Sequence, residues 1–337
     1  MSETSPVLVE VTRGGVVESR HRGRVAVVNR EGHVVFSIGD VKEPVYPRSA
    51  IKPLQAIPLV ESGAADDASP QEIAVACASH NGEAIHVGTI LEWLKRHAIP
   101  TEHLQCGPHA PSYGPATDDL VRAGRTFGDI HNNCSGKHAG MLITARHLGE
   151  DTDGYLAHSH PVQQRVFGVL EQMCGIGLAD APLGIDGCGI PTVAIPLGNL
   201  ALGFARFAAA RNDVPERRAA ATRRISQAIW KHPELMAGTA RYCTDINRLC
   251  MNRALVKTGA EGVFCAALHE LGLGIALKCE DGASRASEAI MSTMLLRLGI
   301  VNPDELRSID RGLPQPILNR NRQTVGELRM TAALLDG

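Results

Sequence analysis

Two kinds of side chain in this 337-residue sequence could do covalent or metal chemistry, and both come in short, spaced groups. The first is serine with lysine. Ser49-Ala50-Ile51-Lys52 follows Tyr46-Pro47-Arg48, and a helix opening near Ser49 would put the hydroxyl and the amine on one face. A serine hydroxyl is a poor nucleophile until a base takes its proton, and a lysine can be that base where burial or a nearby cation lowers its pKa. The start of the helix would also stabilise developing negative charge. Pro53 limits the argument, because a proline is tolerated only in a first turn. A lone Ser-x-x-Lys is structural in most proteins, so its weight depends on what accompanies it.

Two further groups accompany it. Ser79-His80-Asn81-Gly82-Glu83 occupies a polar gap between two helical patterns, and Lys257-Thr258-Gly259 lies just before a C-terminal hairpin pattern. The plain alternatives are an N-cap role for Ser79 and a solvated strand-end position for Lys257. A Ser-x-x-Lys, a Ser-x-Asn and a Lys-Thr-Gly in this order match the motif order of serine β-lactamases and penicillin-binding proteins. Asn81, Glu83 and Arg48 are candidate substrate-binding residues, Arg48 for a carboxylate, with a surface ion pair as its alternative.

The second kind is thiol. His131-Asn132-Asn133-Cys134-Ser135-Gly136-Lys137-His138 opens a helical pattern, and Asp186-Gly187-Cys188-Gly189 follows the apolar run Pro182-Leu183-Gly184-Ile185. Cys134 and His138 are four residues apart, hence on one helical face. Two thiolates with nitrogen donors suit zinc, and Asp186 could orient a ligand or a lysine. Buried free cysteine also behaves as a small hydrophobe, which is the reading taken for Cys77, Cys106, Cys174, Cys243, Cys250, Cys265 and Cys279. The other histidines show no compelling ligand spacing and read as surface or satisfied core residues.

These groups must be held by a scaffold. Residues 6–38 are Val-rich and alternating, with Gly14-Gly15, Arg22-Gly23 and Glu31-Gly32 as turn signals, and read as an antiparallel meander. Residues 262–268 and 273–279 read as a hairpin. Between these regions helical periodicity covers 83–98, 136–148, 161–173 and 215–231, and it returns at 284–298. Ser69-Pro70-Gln71-Glu72 reads as an N-cap with proline in the first turn of a short helix ending at Ala76. The expectation is one α+β catalytic domain over residues 1–337, with strands from both chain ends joining one antiparallel sheet and helices packed on it.

Composition narrows the function class. With 34 basic and 36 acidic residues the net charge is −2, and neither RHRGR at 20–24 nor ERRAAATRR at 216–224 makes a nucleic-acid footprint. The first fits an exposed hairpin and the second a solvated helix face. Apolar runs are broken well before membrane-spanning length. Met1 to Ser5 carries no charged n-region, and nine scattered cysteines form no disulfide framework, so a cytoplasmic protein is expected.

Taken together, Arg48–Gln55, Ala78–Glu83, Asn132–His138, Asp186–Gly189 and Lys257–Gly259 resemble the asparaginase II family, the rhizobial-type L-asparaginases, over about residues 6–335. The resemblance implies a fold like that of serine β-lactamases and glutaminases, a homodimer, and hydrolysis of L-asparagine to L-aspartate and ammonia. It also implies two serine–lysine pairs, Ser49 with Lys52 and Ser79 with Lys257. It implies a zinc ion on Cys134, Lys137 and Cys188, whereas spacing alone favours His138. His138 and Asp186 then become neighbouring substrate or supporting groups. The rivals are a penicillin-recognising amidase or peptidase, a zinc-dependent amide hydrolase, and a non-catalytic binding protein.

Overall fold

The computed structural model describes residues 4–209 and 216–336. Residues 1–3 of the N-terminal stretch and position 215 of the expected 215–231 helix lie outside the described residues. The chain divides into two compact units. The first comprises Met1–Ala50, Ile195–Ala209 and Val256–Gly337, and the second Ile51–Ala194 and Ala210–Leu255.

The first unit is built on one antiparallel sheet. Its strands are β1 (Val7–Arg13), β2 (Val16–Asn29), β3 (Val34–Ile38), β4 (Ala254–Thr258), β5 (Val263–Leu268), β6 (Leu273–Cys279), β7 (Gln315–Leu318) and β8 (Thr324–Met330). The order is β7-β8-β1-β2-β6-β5-β4, with β3 also paired to β2. Strands from both chain ends therefore meet, as β1 against β8 and β2 against β6.

The burial of β2 changes along its length. Val16–Arg22 is mostly exposed or half-buried, whereas Arg24–Val28 is buried at every position. Helices lie on both faces there. Gly274, opposite Val28, presses on the Leu197–Ala208 helix so closely that a Cβ would collide with the Ala201 carbonyl. Arg297 of the Ser284–Arg297 helix sits over the Phe36 ring, which pairs with Val27 and so marks the opposite face. Each fully buried Val, Ile or Leu here contributes roughly 1.5–3 kcal/mol of hydrophobic stabilisation.

Two sequence expectations are corrected in β2. Arg22-Gly23 is no turn, and RHRGR is no exposed hairpin. The strand runs straight through, pairing Arg22 with Val7 and Gly23 with Cys279. Glycine is needed at 23 for closeness, since a Cβ would sit 2.7 Å from the Lys278 carbonyl oxygen and 3.1 Å from Leu8. His21 and Arg24 are buried because each has an acidic partner, Asp281 for His21 and both Glu43 and Glu280 for Arg24. The β7–β8 hairpin past the Ser284–Arg297 helix was not anticipated from periodicity.

The second unit is mainly helical. The short helix Pro70–Ala76 opens with the expected capping box, Ser69 Oγ accepting from the Glu72 N–H while Glu72 accepts from the Ser69 N–H. The helices Ala84–Arg96, Ser135–His147, Pro161–Cys174 and Glu216–Lys231 follow the apolar periodicity. ERRAAATRR is only partly solvated, because Arg218 is buried against Glu61 and Arg224 donates to the Ala68 carbonyl at 3.0 Å. Among the described residues no helix is long and apolar enough to cross a membrane.

Gly136 makes a close helix contact possible. A Cβ on it would overlap the Val75 carbonyl group and stand 3.0 Å from Val75 Cγ2. The missing side chain lets the start of the Ser135–His147 helix lie against the end of Pro70–Ala76, three residues before Ser79.

Candidate active site

Lys52 opens a one-turn helix, Lys52–Gln55, with Pro53 in its first turn, the place that proline tolerates. The preceding residues Arg48–Ile51 form a 3-10 turn that carries Ser49. Lys52 is only 1% exposed, yet its ammonium is well partnered. Nζ donates to the Ala78 carbonyl, lies 3.0 Å from Ser79 Oγ and lies 3.1 Å from Cys134 Sγ. A flexible amine thus links the serine segment to the thiol segment of the second unit.

Ser79 is held from the backbone side. Its N–H donates to Met236 O at 3.1 Å, and the next N–H, of His80, donates to Asn133 O at 3.2 Å. His80 braces the same junction. Its Nδ1 accepts from the Gly82 N–H, so Nε2 carries the proton and donates to Ser135 Oγ at 2.9 Å. Burial is the first cause of a pKa well below the ordinary histidine value, and the ring stays neutral. It stacks on His86, whose Nε2 meets the Glu234 carbonyl oxygen at 2.9 Å.

Asn81 and Glu83 are engaged with the 238–241 segment. Arg241 donates to Asn81 Oδ1 at 2.8 Å, and Asn81 Nδ2 donates to Thr239 O at 3.0 Å. Both carboxylate oxygens of Glu83 accept from Thr239, from its N–H at 2.8 Å and its hydroxyl at 2.6 Å. Gly238 at φ +116° leaves room for Asn81, which a Cβ would strike.

The thiol groups converge as well. Cys188 sits at the tip of a small hairpin, Leu183–Ile185 with Pro191–Val193, closed by the Asp186 N–H to Ile190 O and the Gly189 N–H to Asp186 O. Gly189 has φ +83°, a conformation that glycine takes without strain. Lys137 Nζ lies 3.1 Å from Cys188 Sγ, and all three of Cys134, Lys137 and Cys188 are buried. A hydrogen bond from the Cys188 thiol holds Cys134 well below the usual thiol pKa, with Lys52 and Lys137 adding to it, and the same bond pushes Cys188 up. Burial pulls Lys137 down, but Cys188 and Cys134 outweigh it and its net shift is upward.

Two soft sulfur donors and one nitrogen within contact distance suit a zinc-class cation. A divalent ion would take over the charge balance that the two lysines now supply. Lys137, rather than His138, is the residue whose nitrogen meets Cys188. His138 instead turns to Tyr155, whose hydroxyl accepts from the Gln105 N–H at 3.1 Å and lies 2.7 Å from His138 Nδ1. His138 Nε2 is a buried nitrogen with no hydrogen-bond partner. An unmet buried polar atom beside a metal-ligand set is one a bound ligand or water would satisfy. Asp186 is half-buried, binds the Gly187 N–H at 2.8 Å, and adds negative charge felt by Lys137.

The first unit holds the remaining candidates. Gly259, two residues after Lys257, packs on the segment carrying Ser49, where a Cβ would stand 2.8 Å from Pro47 O and 3.1 Å from Ala50 N. Lys257 is buried and donates to Thr258 O at 2.8 Å. Ser49 is half-buried, and Arg48 faces Glu261 at 4.0 Å.

The L-asparaginase II family model matches residues 9–330. The chain belongs to this family. Membership makes it an amidohydrolase, and the L-asparaginase II match spans both units. No curated protein matches the chain. Among solved structures it is similar to Mglu, at 13% identity and a TM-score of 0.46, over 83% of this chain and 67% of that one. A β-lactamase from Mycobacterium bovis aligns at 14% identity and a TM-score of 0.41, covering 83% and 95%. A D-alanine carboxypeptidase from Burkholderia cenocepacia aligns at 14% and 0.40, covering 83% and 93%.

Three residues of the candidate site give no signal in the sequence. These are Tyr155, Arg241 and Thr239, whereas His80 is the satisfied core histidine that its sequence context suggests, buried with both ring nitrogens paired. None lies within a recognisable spacing of the residue it supports, apart from His80 beside Ser79.

Proposed function

We propose that this amidohydrolase hydrolyses the side-chain amide of L-asparagine to L-aspartate and ammonia by serine–lysine chemistry. The observation that carries this reading is Lys52, a buried amine 3.0 Å from Ser79 Oγ and three residues after Ser49. A lysine acts as a proton acceptor in its neutral form.

In this reading Ser49 attacks the amide carbonyl and Lys52 takes its proton. Lys52 then returns the proton to the departing nitrogen, which leaves as ammonia, and water cleaves the resulting β-aspartyl ester. Ser49 is the more reachable hydroxyl, because it is half-buried while Ser79 is buried and engaged with Lys52. Ser79 and the Ala78 carbonyl hold the amine in place, and Ser79 with Lys257 relays protons and holds substrate. Arg48 offers charge for the substrate carboxylate. When bound on Cys134, Lys137 and Cys188, zinc would supply fixed positive charge that raises affinity for a polar substrate. The family resemblance adds a homodimer and one catalytic domain over residues 1–337. The same 3.0 Å contact favours a second reading, in which Ser79 is the nucleophile and Lys52 its base.

The test is ammonia release from L-asparagine and L-glutamine by the wild type, Ser49→Ala and Ser79→Ala, with nitrocefin as a third substrate. Release from asparagine that falls at least about a thousandfold in Ser49→Ala supports the main reading. Near-full activity in Ser49→Ala with collapse in Ser79→Ala hands the nucleophile to Ser79. No release from either amide, or turnover of nitrocefin instead, overturns the asparaginase reading.

A further inference from the structure

The first unit contains a second cluster of metal-ligating side chains that the hydrolysis reading does not use. His21 on β2, Cys279 at the end of β6 and Asp281 in the turn before the Ser284–Arg297 helix bring three ligand atoms within 4.8 Å of one another. His21 Nδ1 is 2.6 Å from Asp281 Oδ2, and Cys279 Sγ is 3.1 Å from Asp281 Oδ1. His21 and Cys279 are buried, whereas the Asp281 side chain is 47% exposed and opens the cluster to solvent.

The positions are fixed by main chain. Cys279 donates its N–H to Gly262 O at 2.9 Å, and Gly262 packs so tightly that a Cβ would sit 2.8 Å from Cys279 Cβ. Asp281 Oδ1 also accepts from the Ala283 N–H at 3.1 Å. His21 is set by the sheet, one residue before Arg22 pairs with Val7. Three donors on three elements are thus held in place before any ion arrives, which limits the ordering cost of binding.

We propose that His21, Cys279 and Asp281 form a binding site for one divalent transition-metal cation of the zinc class, completed by solvent. The donor set decides the class. One sulfur, one imidazole nitrogen and one carboxylate oxygen suit zinc or cobalt and not calcium or magnesium, which take oxygen ligands. The bound ion would clamp β2, β6 and the start of the Ser284–Arg297 helix together.

Arg285 gives the site a gate. Its Nε donates to His21 Nε2 at 3.2 Å, and an arginine can only donate. Nε2 is therefore the acceptor, and Nδ1 carries the proton shared with Asp281. An ion on Nδ1 displaces that proton, the imidazole proton moves to Nε2, and the thiol proton of Cys279 leaves to solvent. Arg285 must then swing away, because two donors would face each other. Arginine at 285 consequently opposes the ion.

The experiment counts metal rather than turnover. Metal-free wild type and Cys279→Ser are dialysed against zinc and assayed by elemental analysis. The wild type is expected to hold one equivalent more than Cys279→Ser, whatever the occupancy elsewhere. Cobalt titration of Cys134→Ser/Cys188→Ser should give a thiolate-to-cobalt absorption band saturating at one equivalent. That band should vanish on adding Cys279→Ser. On the Cys134→Ser/Cys188→Ser background, Asp281→Asn should weaken cobalt binding about tenfold or more, and Arg285→Ala should tighten it. Circular dichroism confirms that each variant is folded, and the Asp281→Asn titration carries the test if Cys279→Ser is not. Equal metal content in wild type and Cys279→Ser overturns the proposal, as does a band that persists without Cys279.

Discussion

Replacing Gly136 by alanine should be far more damaging than its chemistry suggests. In a helix the exchange normally stabilises by about 0.5–1 kcal/mol, because glycine loses more freedom on folding. At this position a Cβ would overlap the Val75 carbonyl group, 2.7 Å from its carbon, and stand 3.0 Å from Val75 Cγ2. These are mostly backbone atoms of a neighbouring helix, so no rotamer change relieves the clash. Reaching ordinary contact with the carbonyl oxygen requires the two helices to part by about 1 Å or more, and overpacking of that kind typically costs about 1–3 kcal/mol. A net loss of about 1–2 kcal/mol is expected, or roughly 1–3 °C in Tm for a chain of this size.

Activity should fall as well. Val75 and Gly136 flank the segments that carry Ser79 and Cys134, and a shift approaching 1 Å at reacting groups can cost about a hundredfold. The matched control is Gly168→Ala in the Pro161–Cys174 helix, where a Cβ meets nothing within 4 Å. Thermal unfolding followed by circular dichroism, with ammonia release measured on the same samples, checks both parts. A Gly136→Ala protein that melts at or above the wild-type temperature would falsify the claim that these helices touch through this residue.

Two further changes read out buried polar groups. Tyr155→Phe removes the hydroxyl shared by His138 Nδ1 and the Gln105 N–H, leaving both unmatched, and should cost about 1–3 kcal/mol in urea unfolding; an unchanged midpoint would show that solvent already serves these groups. His269 has its pKa lowered to about 4, from burial first, with the Ala267 carbonyl opposing the shift. Its contribution is therefore complete above the unfolded value near 6.5 and is lost as pH falls toward 4, because the unfolded chain takes up the proton first. Lowering the pH from 7 to 4.5 should cost the wild type about 1–2 kcal/mol more than His269→Asn, discounted for partial exposure; parallel pH profiles would remove His269 as the cause.

Much of the scaffold was legible because helix and strand periods are local. The capping box at Ser69, the 263–268 and 273–279 hairpin, and the helices around 84–96 and 161–174 needed only neighbours in sequence to be seen. Arg22-Gly23 failed because a glycine demanded by close packing looks the same as a glycine demanded by a turn. The buried His21 and Arg24 failed because Asp281 and Glu280, which pair with them, lie more than 250 residues away, and nothing in the sequence links Arg24 to its other partner, Glu43.

The chemistry divides in the same way. Residue types and motif order alone established which serines, lysines and cysteines were worth following, and they placed the chain in its family. Periodicity contains no information on which distant atoms meet, since the entropic cost of closing a loop grows only slowly with its length. Tertiary structure alone brought Lys52 to Ser79 and Cys134, put Lys137 rather than His138 against Cys188, and gave His138 to Tyr155. It also assembled His21, Cys279 and Asp281 from strands and a turn that only sheet pairing makes neighbours. Close packing and buried charge balance decided those contacts, and both depend on the whole chain being folded.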